Sequence, residues 1–303
     1  LDDARKRLAI IPHSEQQMVT DILKALDDSS LTTHQKVEAI FAGSQALLQA
    51  AVPVRHVIMQ LGSHRTELED ALAGTYYRMC LIMESLMRLN KKQDFQVSLH
   101  CARCLYELHL DAVDLIRDPT LVARFKAFTF IARFAAAKKL VNELVSQGIT
   151  DPNIGKHERI FVDNPTNEAK FQSELAAHWT NRTKAPLNWM DRPLPERAKL
   201  IGNDEIIRYR ELYSLFCWYS HAGVVGVANL SPDALESAMG MAHVHSQNFF
   251  VEATNLIATQ FDIYKANSAL KTEIEKYKAT TAKVVLLHLR KLQELSGEAP
   301  GGR

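Results

Sequence analysis

FQVSLHCARCLYELHLDAVDLIRDP, residues 95–119, reads as one amphipathic helix. At about 100° per residue, Cys101, Cys104, Leu105, Leu108, Ala112 and Leu115 share an apolar face. His100, Arg103, Glu107, Asp111 and Asp114 form a polar stripe beside it. No period-2 alternation competes with this pattern, and Asp118-Pro119 closes the helix because proline disfavours α geometry in the residue before it. Similar periodicity recurs along almost the whole chain, so the expected fold is all-α, an irregular multi-helix bundle.

N-terminal to this helix, Met18, Ile22, Leu23 and Leu26 make one stripe over Glu15–Leu26, and DDSSLTTHQK supplies a loop with an N-cap at Thr32 or Thr33. The next helix is expected from His34 to Ala50, where Pro53 breaks it, followed by a short segment before Gly62. Ser63 or Thr66 then caps a helix reaching Leu89. C-terminal to Pro119, a helix runs from Thr120 to Gln147 and stops at Gly148 as a C′ glycine. Residues 150–201, with five prolines, are the least regular and hold one helix near 165–180. A helix follows over 204–229. Ser231-Pro232-Asp233 starts a final helical pattern that continues through KVVLLHLRKLQEL, giving a long C-terminal helix. The expected division is an N-terminal helical region, 1–92, and a central bundle, 93–303, cooperating as one domain.

Composition narrows the class. Glycine and proline number 12 and 10 in 303 residues, below the roughly 12% average usage, while 47% of the chain is hydrophobic, which excludes collagen-like and disordered classes. The net charge of +1 provides no global field for nucleic acid or an anionic membrane. Four cysteines are too few for a disulfide scaffold and suit a reducing cytoplasm. The most apolar stretch, Leu212–Leu230, carries Ser214, Ser220, His221 and Asn229, as in a buried core helix rather than a membrane span. The opening LDDARKRLAIIPHSEQQ has no signal-peptide core, and GEAPGGR reads as a frayed tail. The expectation is a cytoplasmic protein without a membrane partner.

Two polar stripes carry the candidate chemistry. Arg103 and Glu107 are spaced i, i+4, within pairing reach. On EIIRYRELYSLFCWYSHAGVVGVANL, Arg210, Ser214 and His221 fall on one side, while Tyr209, Tyr213, Phe216, Trp218 and Tyr219 crowd the others. Buried Ser and His side chains need hydrogen-bond partners. Arg103 and Glu107 meeting Ser214 and His221 would make a polar interhelical pocket. Cys101-x-x-Cys104 with His100 is half of a zinc site without the other half, and His243-x-His245 is an isolated pair, so no metal is expected. No Walker loop, GxGxxG, GxSxG or HExxH occurs, and no cofactor is expected. Arg103-x5-His109 fits the loose Arg-x(4–6)-His pattern and resembles that of the HEPN ribonucleases, which act on RNA phosphate without metal.

Taken together, ARCLYELHLDAVDLIRDP, HWTNRTKAPLNWMDR and YRELYSLFCWYSHAG resemble a bacterial domain-of-unknown-function family, number 5677, over residues 75–265. The resemblance implies an all-helical bacterial protein and gives Arg103, Glu107, Tyr209, Tyr213, Ser214 and His221 as the positions matching the family's polar motif. It implies no activity. Ala222-Gly223 departs from the pattern, where Pro or Ser usually follows the histidine.

Three functions follow as expectations. The first is a binding or regulatory module holding a small anionic or nucleotide-like ligand, with Arg103 on the anion and Ser214 and His221 donating hydrogen bonds. The second is a metal-independent ribonuclease or phage-defence effector, with His221 or His109 as acid/base and Arg103 stabilising the phosphate of RNA. The third is a helical interaction scaffold, in which the polar stripes only fix helix register; separately, the long terminal helix favours a homodimer through the helices.

Overall fold

A computed structural model describes residues 28, 30–179, 182–213, 216, 217 and 231–296, without the side chains of 63, 233 and 286–296. Among the described residues there are only helices, turns and loops, and no strand. The chain folds into two compact units, Leu1–Arg117 with Ala198–Arg303, and Asp118–Arg197.

The first unit begins with α1, Thr33–Leu61. Thr32 caps it, accepting from the Gln35 N–H while Gln35 Oε1 accepts from the Thr32 N–H, a reciprocal capping box. Pro53 lies inside this helix and does not end it. Gln49, whose carbonyl loses its proline partner, is exposed and can turn that oxygen to water, while Leu47, Ala50, Val54 and Ile58 hold both halves in the core. By length and composition α1 could cross a membrane, with mean hydropathy 1.3 over its best 18-residue window. Its apolar stripe is covered here by other helices of the same unit. After a 3₁₀ turn, Gly62–His64, comes α2, Glu67–Leu86, capped by Thr66 through a second capping box with Glu69. The helix ends a turn earlier than expected at Leu89.

The decisive stretch forms α3, Phe95–Arg117. Cys101, Leu105, Leu108, Ala112 and Leu115 are buried as read. Burial extends further around the helix, however, taking in Ala102, Tyr106, His109 and Asp114, whereas Cys104 is only half-buried. The cause is a second partner: α9, Pro232–Gln260, packs along α3 and also touches α1, α2 and α11, Ser268–Ser296. α9 is the axis of the unit, with ten consecutive buried residues from Ala242 to Val251. At Gly240 a Cβ would meet Val37 Cγ2 at 3.0 Å, so a glycine allows α1 and α9 to approach closely.

The expected long C-terminal helix is present as α11, and the apolar pattern from Ser231 onward holds two 29-residue helices, α9 and α11, joined by α10, Ile263–Ala266. Asp262, at φ 54°, breaks the first, and Asn267 turns the chain so that α11 packs back on α9. Folding back buries Leu270, Ile274 and Tyr277, which a single protruding helix would expose.

The second unit holds α4, Val122–Ser146, α5, Lys156–Asp163, and α6, Pro165–His178, around Ile131, Phe134, Phe171, Leu175 and Trp179. Residues 150–201 therefore carry more helix than expected: α5 precedes α6, and α7, Leu194–Ile201, leads back into the first unit. Beyond it lies α8, Asn203–Arg208, continued by a π turn, Tyr209–Tyr213. The expected continuous helix over 204–229 thus opens with a short α segment and a wide turn, and most of its remainder lies outside the described residues. So do Glu15–Leu26, the GEAPGGR tail, and both Ser214 and His221.

Candidate functional site

Four of the sequence-derived site residues come together where α3 meets the π turn. Arg103 Nε donates to Glu107 Oε1 at 3.0 Å, and Tyr213 Oη donates to the same oxygen at 2.8 Å. The Arg103 guanidinium also lies over the Tyr213 ring, 5.3 Å from its centroid. Tyr209, one residue into the π turn, stacks on Tyr213 with centroids 5.3 Å apart and planes 20° from parallel. A π turn adds a residue to the helical repeat and often marks a functional position. Here it sets Tyr213 against Arg103 and Tyr209 against Tyr213.

The electrostatics fix the protonation pattern. Burial lowers the basicity of Arg103, but the Glu107 hydrogen bond more than restores it and the guanidinium stays charged. Burial, followed by the Glu107 charge, pushes the Tyr213 phenol well above its ordinary value, so it remains a proton donor. Arg103 is about a quarter exposed, and its two terminal nitrogens donate to no group among the described residues. The half-exposed Tyr209 ring continues the stack on Tyr213. The arrangement offers a positive fork next to an aromatic face.

His109, the other histidine expected to act with Arg103, belongs to a different cluster. Its Nε2 lies 3.7 Å from Glu205 Oε2 and 3.6 Å from Glu252 Oε2. Arg208 completes the group, with Nη1 2.6 Å and Nη2 2.7 Å from the two Glu252 oxygens and Nη1 3.3 Å from Glu205 Oε2. Burial pushes both carboxyls up, yet His109 and Arg208 outweigh it and hold Glu205 below the usual carboxylate range, as Arg208 chiefly does for Glu252. Burial pulls Arg208 down and the Glu252 contacts raise it further. This tetrad joins α3, α8 and α9 from inside, and His109 itself is 3% exposed.

Little in the sequence pointed to the tetrad beyond His109. Glu205 and Arg208 have pairing spacing, i, i+3, and Glu252 is the sole charge in Phe249–Ala253, but nothing local says that α9 meets α8. His243 and His245 likewise sit within the buried axis. Ser44 Oγ lies 3.3 Å from His243 Nδ1, and Gln247 Nε2 donates to Ser44 Oγ and the Ile40 carbonyl at 2.6 and 2.8 Å. His245 lies between the Phe216 and Phe249 rings. Cys104 Sγ is 3.5 Å from His100 Nε2 one turn away, while burial raises both Cys101, to about 11, and Cys104. Among the described residues no three His, Cys, Asp or Glu side chains are grouped to hold a metal ion. Whether Ser214 and His221 face Arg103 lies outside the described residues.

The described residues are all-α, with a polar cluster inside the buried axis and a half-open arginine–tyrosine corner between helices. The chain belongs to DUF5677, a family of unknown function, whose model matches residues 69–233. That range holds Arg103, Glu107, His109, Glu205, Arg208, Tyr209 and Tyr213, while Glu252 lies beyond it. No curated protein and no solved structure matches the chain.

Proposed function

We propose that this protein is a cytoplasmic bacterial binding module, and that its site for a small anionic, nucleotide-like ligand is the corner formed by Arg103, Tyr209 and Tyr213. The observation that carries this is the Arg103 guanidinium. It is tethered through Nε, leaves its terminal nitrogens without an acceptor among the described residues, and lies over the Tyr213 ring, on which the half-exposed Tyr209 stacks. A planar fork suits phosphate or carboxylate, and an aromatic face suits a flat ring. Glu107 orients the fork and the Tyr213 hydroxyl together.

Metal-independent cleavage of RNA through Arg103 and His109 has less support. The two residues lie six positions apart on α3, and His109 is buried between Glu205 and Glu252, away from any phosphate in solvent. A purely structural scaffold does not need an arginine with idle donors.

The test is a thermal-shift screen against nucleotides and small anionic metabolites. A ligand at a hundred times its Kd stabilises the fold by about 2.7 kcal/mol. Arg103→Ala and Tyr209→Ala should each weaken the hit at least tenfold. A hit equally strong in both variants, or no hit from either ligand class, removes this reading.

A further inference from the structure

The block HWTNRTKAPLNWMDR, residues 178–192, plays no part in the Arg103 corner. It belongs to the other unit, where twelve Lys and Arg oppose nine Asp and Glu over residues 118–197. Its two ends are tied together. Trp179 Nε1 donates to the Trp189 carbonyl at 3.2 Å, Arg182 grips Asp191 through two bonds of 2.8 and 2.6 Å, and Asn188 bonds the Arg192 backbone in both directions. Against this closed loop lies α4, with the Arg124 guanidinium over the Trp179 ring at 5.3 Å and Phe125 edge-on to Trp189.

Arg124 is the anomaly. It is half-buried, its Nε is shielded from solvent, and none of its N–H groups finds an acceptor among the described residues. A charged donor sealed from water and left without an acceptor, as Nε is here, is costly. The nearest carboxylate able to act on it, Asp191, is already held bidentately by Arg182. Arg192 adds a third positive charge to the same neighbourhood.

We infer that Arg124, Arg182 and Arg192 form an oxyanion site for a phosphate group, a site separate from the Arg103 corner. Three guanidiniums share one carboxylate, so an incoming dianion meets uncompensated charge and vacant donors of the geometry that phosphate takes. Burial lowers the basicity of Arg124, Asp191 restores part of it and Arg192 lowers it again, a balance that a bound anion would reverse. Trp179, under Arg124, and Trp189, under Arg197, are buried, so neither ring is free to stack on a base. Recognition is therefore of the phosphate itself, whether in a soluble phosphate or in a nucleic-acid backbone.

Calorimetric titration with inorganic phosphate and, separately, with a single-stranded RNA oligonucleotide tests this, with Trp fluorescence as a parallel readout. Saturable binding of either probe is expected, at least tenfold weaker in Arg124→Gln and also weaker in Arg192→Gln. The latter side chain is exposed, so that variant tests the site even if Arg124→Gln fails to fold. Phosphate binding assigns a soluble source, and RNA binding without it, falling steeply with salt, assigns a backbone source. Binding of neither probe, or binding unchanged in both variants, overturns the assignment.

Discussion

Replacing Arg208 by Met keeps an unbranched apolar stem and removes the cation that Glu205 and Glu252 share. Both carboxylates would then face each other with only His109 between them, at 3.7 and 3.6 Å. Breaking a buried ion pair from one side costs about 3–5 kcal/mol, because a desolvated charge is left behind. The Arg208 and Glu252 side chains are 19% and 14% exposed, so screening is slight and about 3 kcal/mol is the expected loss. Against a total stability of roughly 5–15 kcal/mol that is a large fraction. In urea at pH 7, followed by far-UV circular dichroism, the midpoint should fall by about 1 M or more at a slope of roughly 1–3 kcal/mol per molar.

The double-variant cycle sharpens the test. Adding Glu252→Gln to Arg208→Met removes the stranded charge, so the pair should cost at least about 1 kcal/mol less than the sum of its parts. Acid should shrink the Arg208→Met penalty too. Both carboxyls titrate below their ordinary 4.5 in the folded protein, so their contribution is present above that pH and is lost as pH falls through the lowered folded values. A penalty under about 1 kcal/mol, or strict additivity, would refute the shared guanidinium.

Two further outcomes follow from the buried axis and from α1. Burial pushes the His243 imidazole down to about 4, against 6.5 in an open chain, so the folded form holds it neutral. Its contribution is full above pH 6.5 and lost as pH falls toward 4, about 3 kcal/mol across that window at 1.4 kcal/mol per unit. His243→Gln should flatten the stability profile there, and an unchanged slope counts against a neutral buried imidazole. Pro53→Ala should raise stability by about 1 kcal/mol in a thermal melt by returning an N–H to the Gln49 carbonyl. A lower melting temperature would mean that the ring's packing outweighs the missing bond.

The Thr32 and Thr66 caps, the end of α3 at Asp118-Pro119 and the all-helical class were legible because each is a local property. A cap needs a hydroxyl and a Gln or Glu three residues on, and a helix face needs only apolar residues at its own period. The Arg103–Glu107 pair was legible for the same reason, and the motif order added Tyr209 and Tyr213 to it. Pro53 was misread because its cost is local while its compensation, the burial of Leu47 and Val54 on either side, is not. The break at Asp262 was hidden for a related reason: the apolar period runs through it unbroken, and only packing of α11 back on α9 favours the turn.

Sequence by itself determined that the chain is helical, where several helices begin, and that Arg103 and Glu107 pair along α3. Only the tertiary structure decided that α9 would be the buried axis, that His109 would turn from Arg103 to Glu205, Glu252 and Arg208, and that Arg124 would lie over Trp179 without a hydrogen-bond acceptor among the described residues. The physical reason is range. Propensity, capping and i, i+4 pairing act within a turn or two, whereas desolvation of a charge depends on which distant helix comes to cover it.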